Sequence, residues 1–268
     1  MTLDTPLPHL SKSQIAARFG QAAPAYHTHA KLQQACAAQL VALLLKYRDA
    51  LPAGPVLEIG CGTGFITQLL LDQLSARQLE ITDLSADMLQ FCQAHLAIPD
   101  PLAVKFAQLD AEHIGESYQN YATIVGGFVL QWFHKPDQII LHLVNRLHPD
   151  GLLALSFPTC QSFPEWRQIC QQISLPYTAN PLPDPVRLAN LLTASHLQLL
   201  ETVTLDQSTS HRGAASFFRD LKTIGANTAH QRLSPQQLRR LIQTWDEQTG
   251  SQTEVHYQIA LWLIRRRG

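Results

Sequence analysis

The chain has 268 residues, of which 46% are hydrophobic and 15% charged, with a formal net charge of -1. This balance predicts a soluble globular protein with a substantial core and excludes an overall basic nucleic-acid binder by composition. The N-terminus shows no basic start followed by an apolar stretch, and the longest apolar runs, such as Leu40 to Leu45, are too short to cross a bilayer. The scattered cysteines have no metal-type spacing, so we expect no metal, no disulfide and a cytoplasmic location. They are Cys36, Cys61, Cys92, Cys160 and Cys170.

Residues 11 to 48 are predicted to be helical, because apolar residues such as Ile15, Phe19 and Leu40 recur at helical spacing. Pro24 interrupts this pattern, because proline has no backbone N–H and disfavours a helix interior. The sequence therefore predicts two helices with a break near A-A-P-A-Y.

From Pro55 onward, short apolar strands alternate with helices, which predicts a parallel sheet covered on both faces. The predicted strands are V-L-E-I, Q-L-E-I-T-D, V-K-F-A-Q-L-D, Y-A-T-I-V-G-G-F, L-L-A-L-S-F, L-Q-L-L-E-T-V-T-L-D and V-H-Y-Q-I-A-L-W-L-I. We expect a single α/β domain over 1–268 with a doubly wound, mostly parallel seven-stranded sheet. It has N-terminal helices in 1–52, a core in 53–158 and a C-terminal part in 159–268, with a helical insertion at about 211–250 before the last strand.

The stretch E-I-G-C-G-T-G, from Glu58 to Gly64, follows the first strand. A glycine-rich turn there lies at the carboxyl end of the sheet, where ligands bind in doubly wound folds. A dinucleotide site would have the spacing G-x-G-x-x-G, which this loop lacks. Either the loop is a tight turn without a ligand, or it approaches a small molecule that is not a dinucleotide.

Two acidic residues favour the second interpretation. Asp83 ends the second strand and Asp110 ends the third. A carboxylate in the first position can accept from ribose hydroxyls, and one in the second can accept from an adenine amino group. Together with the glycines they predict a nucleoside pocket without a phosphate site.

The segments E-I-G-C-G-T-G-F, D-L-S-A-D-M-L and L-D-A-E resemble the motifs of class I S-adenosylmethionine-dependent methyltransferases, over about residues 53 to 158. The resemblance implies a Rossmann-like methyltransferase fold with S-adenosyl-L-methionine as cofactor. It also implies that Gly60, Gly62 and Gly64 shape the methionine end of the pocket.

The same resemblance implies five further contacts. Asp83 would hold the ribose, and Asp110 with Ala111 would lie near the adenine. Met88 would pack against the adenine face, and Glu58 would face the ammonium group of the methionine part.

Segments outside this core are similar to malonyl-[acyl-carrier-protein] O-methyltransferases of biotin synthesis. They are I-A-A-R-F-G-Q-A-A-P-A-Y-H-T-H-A-K-L-Q from Ile15, V-L-Q-W-F, S-F-F-R-D-L-K-T-I-G-A from Ser216 and V-H-Y-Q-I-A-L-W. Many relatives carry Asp at the start of the fourth strand and Asn near its end, where this chain has Ala122 and Gly127. Gly127 is therefore expected to contact the cofactor through its backbone, and Tyr26 to reach over the cofactor from the N-terminal helices.

This family resemblance implies methyl transfer to the free carboxylate of a malonyl thioester on acyl carrier protein. Because such a carboxylate is ionised at neutral pH, we expect no catalytic general base. Gln131 and Trp132, just beyond the fourth strand, are expected at the acceptor.

The insertion carries an excess of positive charge. Between Arg212 and Trp245 the one acid is Asp220, and the cations are Arg212, Arg219, Lys222, Arg232, Arg239 and Arg240. A carboxylate that leaves water needs a cationic partner, so Arg219 or Lys222 is a candidate to bind the malonyl carboxylate. Arg232, Arg239 and Arg240 are candidates to meet an acidic carrier protein, although a solvated basic face would look the same.

Two other functions stay open from the sequence. One is a methyltransferase for another small acceptor, either a free organic acid or a quinone ring. The other is a module that binds the cofactor without catalysis, against which the intact glycine loop and both aspartates argue.

Overall fold

The computed structural model describes residues 11–74, 76–98, 103–115, 120–193, 197–226, 233–250 and 252–267. Within these ranges, no helix combines the length and apolar character that a membrane span requires. The helices are α1 (Lys12–His29), α2 (Lys31–Leu45), α3 (Phe65–Leu74), α4 (Ala86–His95), α5 (Pro136–Val144), α6 (Pro164–Gln172), α7 (Pro185–Thr193), α8 (Ala214–Thr223) and α9 (Pro235–Thr249).

One seven-stranded sheet organises the protein, which confirms the predicted fold class. Its strands are β1 (Val56–Ile59), β2 (Leu79–Asp83), β3 (Val104–Gln108), β4 (Tyr121–Gly127), β5 (Leu147–Pro158), β6 (Leu197–His211) and β7 (Thr253–Arg266). They lie in the order β3-β2-β1-β4-β5-β7-β6, with β1 to β5 parallel and β7 antiparallel to both of its neighbours. The strand order reverses between β1 and β4, so the crevice beyond the carboxyl ends of these two strands is where this fold binds ligands.

The predicted helix break at Pro24 is wrong. Helix α1 continues through Pro24 to His29, and the chain leaves helical geometry at Ala30 (φ -78°, ψ 53°). Proline inside a helix costs a backbone hydrogen bond, and we attribute the continuous helix to its packing against other elements. At Gly20, α1 lies against the start of α4. A Cβ at Gly20 would lie 2.7 Å from the Asp87 carboxylate, so glycine permits this close approach.

Apolar side chains cover both faces of the sheet. Leu40 and Leu70, from α2 and α3, pack on one face, and Ile140 and Leu143 of α5 pack on the other. Each of these four side chains is completely buried, and burial of such a side chain stabilises a fold by about 1.5–3 kcal/mol. A third cluster joins α6, α8 and α9 through large aromatic residues: Phe163, Trp166, Phe217 and Trp245.

Candidate active site

The loop after β1 brings bare backbone to the point where the strand order reverses. Gly62 has a φ of +55°, which disfavours other residues, and an added Cβ there would face the Tyr26 ring at 4.0 Å. Gly64 has a φ of +94°, and its added Cβ would lie 3.0 Å from Cys92 Sγ. Gly62 therefore opens toward the space beneath α1, whereas Gly64 allows the loop to pack against α4.

Asp83 ties the end of β2 to this loop. Its Oδ2 accepts from the Gly62 N–H at 2.9 Å, and its Oδ1 accepts from the Ser85 N–H at 2.8 Å. Burial raises the pKa of the Asp83 carboxyl, while the backbone N–H groups of Ser85, Gly62 and Leu84 oppose that rise. The carboxylate is thus aimed at the crevice by bonds that its own loop supplies.

A cavity of about 120 Å³ lies between this loop and α1, and we call it the cofactor cavity. It brings together nine of the residues that the sequence placed at the site. They are Tyr26, Gly60, Gly62, Asp83, Met88, Asp110, Ala111, Gly127 and Trp132.

Glu58 lies outside the lining of this cavity. Its side chain is 1% exposed, and Oε2 accepts from the Thr67 hydroxyl at 2.7 Å. Burial raises the pKa of the Glu58 carboxyl well above its usual range. The structure therefore places Glu58 beneath the glycine loop, where it holds the loop to α3 through Thr67.

Asp110 has a partner that the sequence did not reveal. Lys12 Nζ lies 2.6 Å from both carboxylate oxygens of Asp110 and also pairs with Glu112. Burial would raise the pKa of Asp110 and of Glu112, but the bonds from Lys12 and from nearby histidines prevail and lower both. Sequence patterns could not predict the pair of Lys12 and Asp110, because the two residues lie 98 positions apart.

Tyr26 extends from α1 over the glycine loop. Its ring stacks on Phe65 with centroids 6.1 Å apart and meets Phe19 edge-on at 6.2 Å. Burial, and then the nearby Asp83 charge, raise the pKa of the Tyr26 phenol. The phenol is therefore neutral at neutral pH and can donate a hydrogen bond, but it cannot serve as a base.

A larger cavity of about 870 Å³ adjoins the first, and we call it the acceptor cavity. Phe128 and Trp132 line both cavities and so mark where they meet. The wall of the acceptor cavity is mainly apolar and comes from α1, α6, α8 and α9, with Phe163, Trp166, Phe218, Leu221 and Leu241 among its members. Such a lining suits an acceptor with an apolar stem.

Only some of the residues that the sequence predicted at the acceptor line the acceptor cavity. Gln131, Trp132 and Lys222 line the acceptor cavity. Arg219 is exposed and is not part of that lining. Arg239 and Arg240 are exposed on α9, whereas Arg232 lies outside the described residues.

In the part of the chain that the structure describes, no group of three His, Cys, Asp or Glu side chains is arranged to hold a metal ion. The Cys61 thiol is buried, and its hydrogen bond with Cys92, followed by burial, raises its pKa. Cys61 is therefore a small loop residue rather than an activated nucleophile.

The residues that meet beneath α1 fit the S-adenosylmethionine that the motifs imply. The Asp83 carboxylate offers acceptors for ribose hydroxyls. Ile59, Met88 and Leu109 line the cavity with apolar surface suited to an adenine ring. Gly62 leaves room for the methionine part next to bare backbone.

Comparisons with known proteins identify the family of this chain. A family model described as a methyltransferase domain matches residues 57–153. The chain is 32% identical over 97% of its length to the biotin biosynthesis bifunctional protein BioCD of Bordetella avium, of which it spans 54%. It is 31% identical over 86% of its length to a malonyl-[acyl-carrier protein] O-methyltransferase of Magnetococcus marinus, of which it covers 84%.

A solved structure supports the same fold. The magnesium protoporphyrin IX methyltransferase of Synechocystis, determined with bound SAH, matches with a TM-score of 0.53 and 17% identity, covering 87% of this chain and 83% of that one. Its low identity shows the fold alone, whereas the Magnetococcus relative matches along most of both chains. By that relationship the chain belongs to the malonyl-[acyl-carrier protein] O-methyltransferase family, and it is an S-adenosylmethionine-dependent methyltransferase.

Proposed function

We propose that this protein transfers the methyl group of S-adenosylmethionine to the free carboxylate of a malonyl thioester on acyl carrier protein, as a step in biotin synthesis. The names of its relatives and the two adjoining cavities support this assignment. The product would be a methyl ester, whose end carries no charge.

The observation that carries the proposal is the charge of the acceptor cavity. Among the described residues that line it, Arg18 and Lys222 carry positive charge and none is acidic. A cavity with apolar walls and cationic side chains suits an anionic group on an apolar stem. A quinone ring would not need these cations.

The reaction needs little acid–base help from the protein. When bound, S-adenosylmethionine supplies a methyl group that its sulfonium charge has already activated. The malonyl carboxylate is ionised at neutral pH and is itself the nucleophile. The protein's part is to hold the carboxylate in line with the methyl group and to exclude water.

Aromatic side chains at the junction are suited to that exclusion. Phe19 and Trp132 meet edge-on with ring centroids 5.2 Å apart, at the boundary of the two cavities. The carboxylate and the sulfonium carry opposite charges, and both charges are lost during the transfer. A junction without water therefore destabilises the charged reactants relative to the less charged transition state.

The carrier protein would meet the basic exposed surface of the insertion. Arg239 and Arg240 on α9 are exposed, and Lys222 is exposed beside the acceptor cavity. We propose that these residues, with Arg232, attract the acidic carrier, since charge complementarity accelerates docking.

Mass spectrometry tests the proposal directly. Malonyl-acyl carrier protein and acetyl-acyl carrier protein are each incubated with this protein and S-adenosylmethionine. We expect one methyl group to be added to the malonyl form and none to the acetyl form, which lacks the free carboxylate. No methylation, with cofactor binding intact by calorimetry, would overturn the carrier assignment and favour a free acid or a quinone as acceptor.

A further inference from the structure

Helix α1 forms a wall between the cofactor cavity and the acceptor cavity. One set of its side chains lines the cofactor cavity: Lys12, Ile15, Ala16, Phe19 and Tyr26. Another set lines the acceptor cavity: Arg18, Gln21, Ala22 and Ala25. Arg18, Ala22 and Ala25 share one face, because they are spaced by four and three residues. A side chain on this face therefore borders the acceptor cavity rather than the cofactor cavity.

Arg18 is the more buried of the two cations in that lining. Its side chain is half-buried, whereas Lys222 is exposed on α8. The next residue in the chain, Phe19, contacts Trp132, which lines both cavities. Gly225, just after α8, packs against this part of α1, since a Cβ there would lie 3.3 Å from the Arg18 carbonyl oxygen. The Arg18 backbone thus lies against the residues that follow α8, and the next side chain in the chain contacts Trp132 at the junction of the cavities.

We propose that Arg18 pairs with the carboxylate that accepts the methyl group, and this inference rests on the proposed function. A guanidinium is planar and presents parallel N–H donors, which match a carboxylate better than an ammonium does. Lys222, at the exposed side of the cavity, acts on the approaching anion rather than on the reacting oxygen. The specificity-determining cation is therefore on the N-terminal helix and not in the basic insertion.

The pairing also has a consequence for product release. One carboxylate oxygen forms a C–O bond with the methyl carbon as the C–S bond breaks, and the electron pair of that bond stays on sulfur. The acceptor loses its negative charge and the sulfur loses its positive charge, so charge and atoms balance. Arg18 then faces a neutral ester, which it holds less strongly than the carboxylate.

Binding measurements with two ligands test this role without relying on turnover. Malonyl carrier protein and its methyl ester are titrated into the protein in the presence of S-adenosylhomocysteine. We expect the wild type to bind the malonyl form about 10–100-fold more tightly, since hydrogen bonds to charged groups contribute about 1.5–3 kcal/mol. Arg18→Gln should weaken binding of the malonyl form by that factor and leave the ester unchanged, and Arg18→Lys should restore part of the preference.

The matched control is Arg48→Gln, because Arg48 is an exposed arginine that lines neither cavity. S-adenosylhomocysteine binding reports that each variant is folded. Equal weakening of both carrier forms in Arg18→Gln, or an unchanged preference, would overturn the role of Arg18 while leaving the proposed function intact. A wild type that neither binds nor methylates the malonyl form would instead overturn the proposed function, and the role of Arg18 with it.

Discussion

Asp83 shapes the glycine loop and also lines the cavity beneath α1. Its two oxygens accept from Gly62 and from Ser85, so they fix the glycine loop relative to the start of α4. The same carboxylate lines the cofactor cavity. The carboxylate is half-buried, which disfavours its charged form. Hydrogen bonds from three backbone N–H groups offset part of this cost.

Asp83→Asn should weaken cofactor binding without unfolding the protein. The amide keeps the shape of the side chain but loses the charge and one acceptor. We expect the dissociation constant of S-adenosylhomocysteine to rise about 10–100-fold by calorimetry, from the loss of about 1.5–3 kcal/mol of charge-assisted hydrogen bonding. Asp72→Asn, at an exposed position on α3, is the control and should bind as the wild type does. Unchanged affinity in Asp83→Asn would show that the charge of Asp83 does not contribute to cofactor binding.

Helix α1 shows where local sequence rules stop being sufficient. Pro24 favours a break, yet the helix continues because contacts with other elements hold it. Gly20 allows α1 to lie close to Asp87 and Ser85 at the start of α4, and Lys12 anchors its first turn to Asp110. None of these contacts is local in the sequence, so periodicity cannot predict them.

The strands and the glycine loop, by contrast, were predictable. Apolar β-rich runs alternate with helices, and short-range chemistry is enough to place Gly62 and Asp83 at adjacent strand ends. Distant partners were not predictable. Glu58 bonds Thr67 instead of lining the cavity, and Arg18 lines the acceptor cavity although the resemblance of its segment implied no role for this residue. Such placements depend on how helices pack on the sheet.

Replacing Lys12 tests the anchor of α1. Lys12→Met removes the cation that pairs with Asp110 and Glu112, and we expect a loss of about 1–2 kcal/mol in the free energy of unfolding at pH 7. Lys46→Met is the control, because Lys46 is 60% exposed and lies 4.0 Å from Glu201. Exposed pairs contribute about 0–1 kcal/mol, so this variant should lose less.

The effect of Lys12→Met should depend on pH. The folded-state pKa values of Asp110 and Glu112 lie below their usual 3.8 and 4.5, so their stabilisation is present above those usual values. It is lost as the pH falls through the lowered values. In urea titrations the difference between wild type and variant should therefore be constant from pH 7 to about 5 and shrink below about pH 4. If the difference in the free energy of unfolding were the same at every pH, the ionised carboxylates of Asp110 and Glu112 would not be its source.

At the scale of the whole molecule, helix α1 lines both cavities. It covers the cofactor cavity on one face and lines the acceptor cavity on the other. Phe128 and Trp132 form the remaining boundary between the two. Any shift of α1 therefore changes both cavities together, which couples occupancy of one to the shape of the other.

This coupling predicts that α1 opens when the cofactor enters or leaves. The cofactor cavity measures about 120 Å³, whereas pockets for small-molecule ligands measure about 300–1,000 Å³, so we expect the cavity to widen by movement of α1 before the site fills. At a ligand concentration one hundred times the dissociation constant, such an opening becomes about 100-fold rarer. Amide hydrogen exchange over residues 12–29 should slow by about that factor when S-adenosylhomocysteine is added, while α7 (Pro185–Thr193), which lines neither cavity, keeps its rate. Equal exchange of α1 with and without the ligand would mean that the cavity widens by another route, and the glycine loop between Gly60 and Gly64 would then be the segment that has to move.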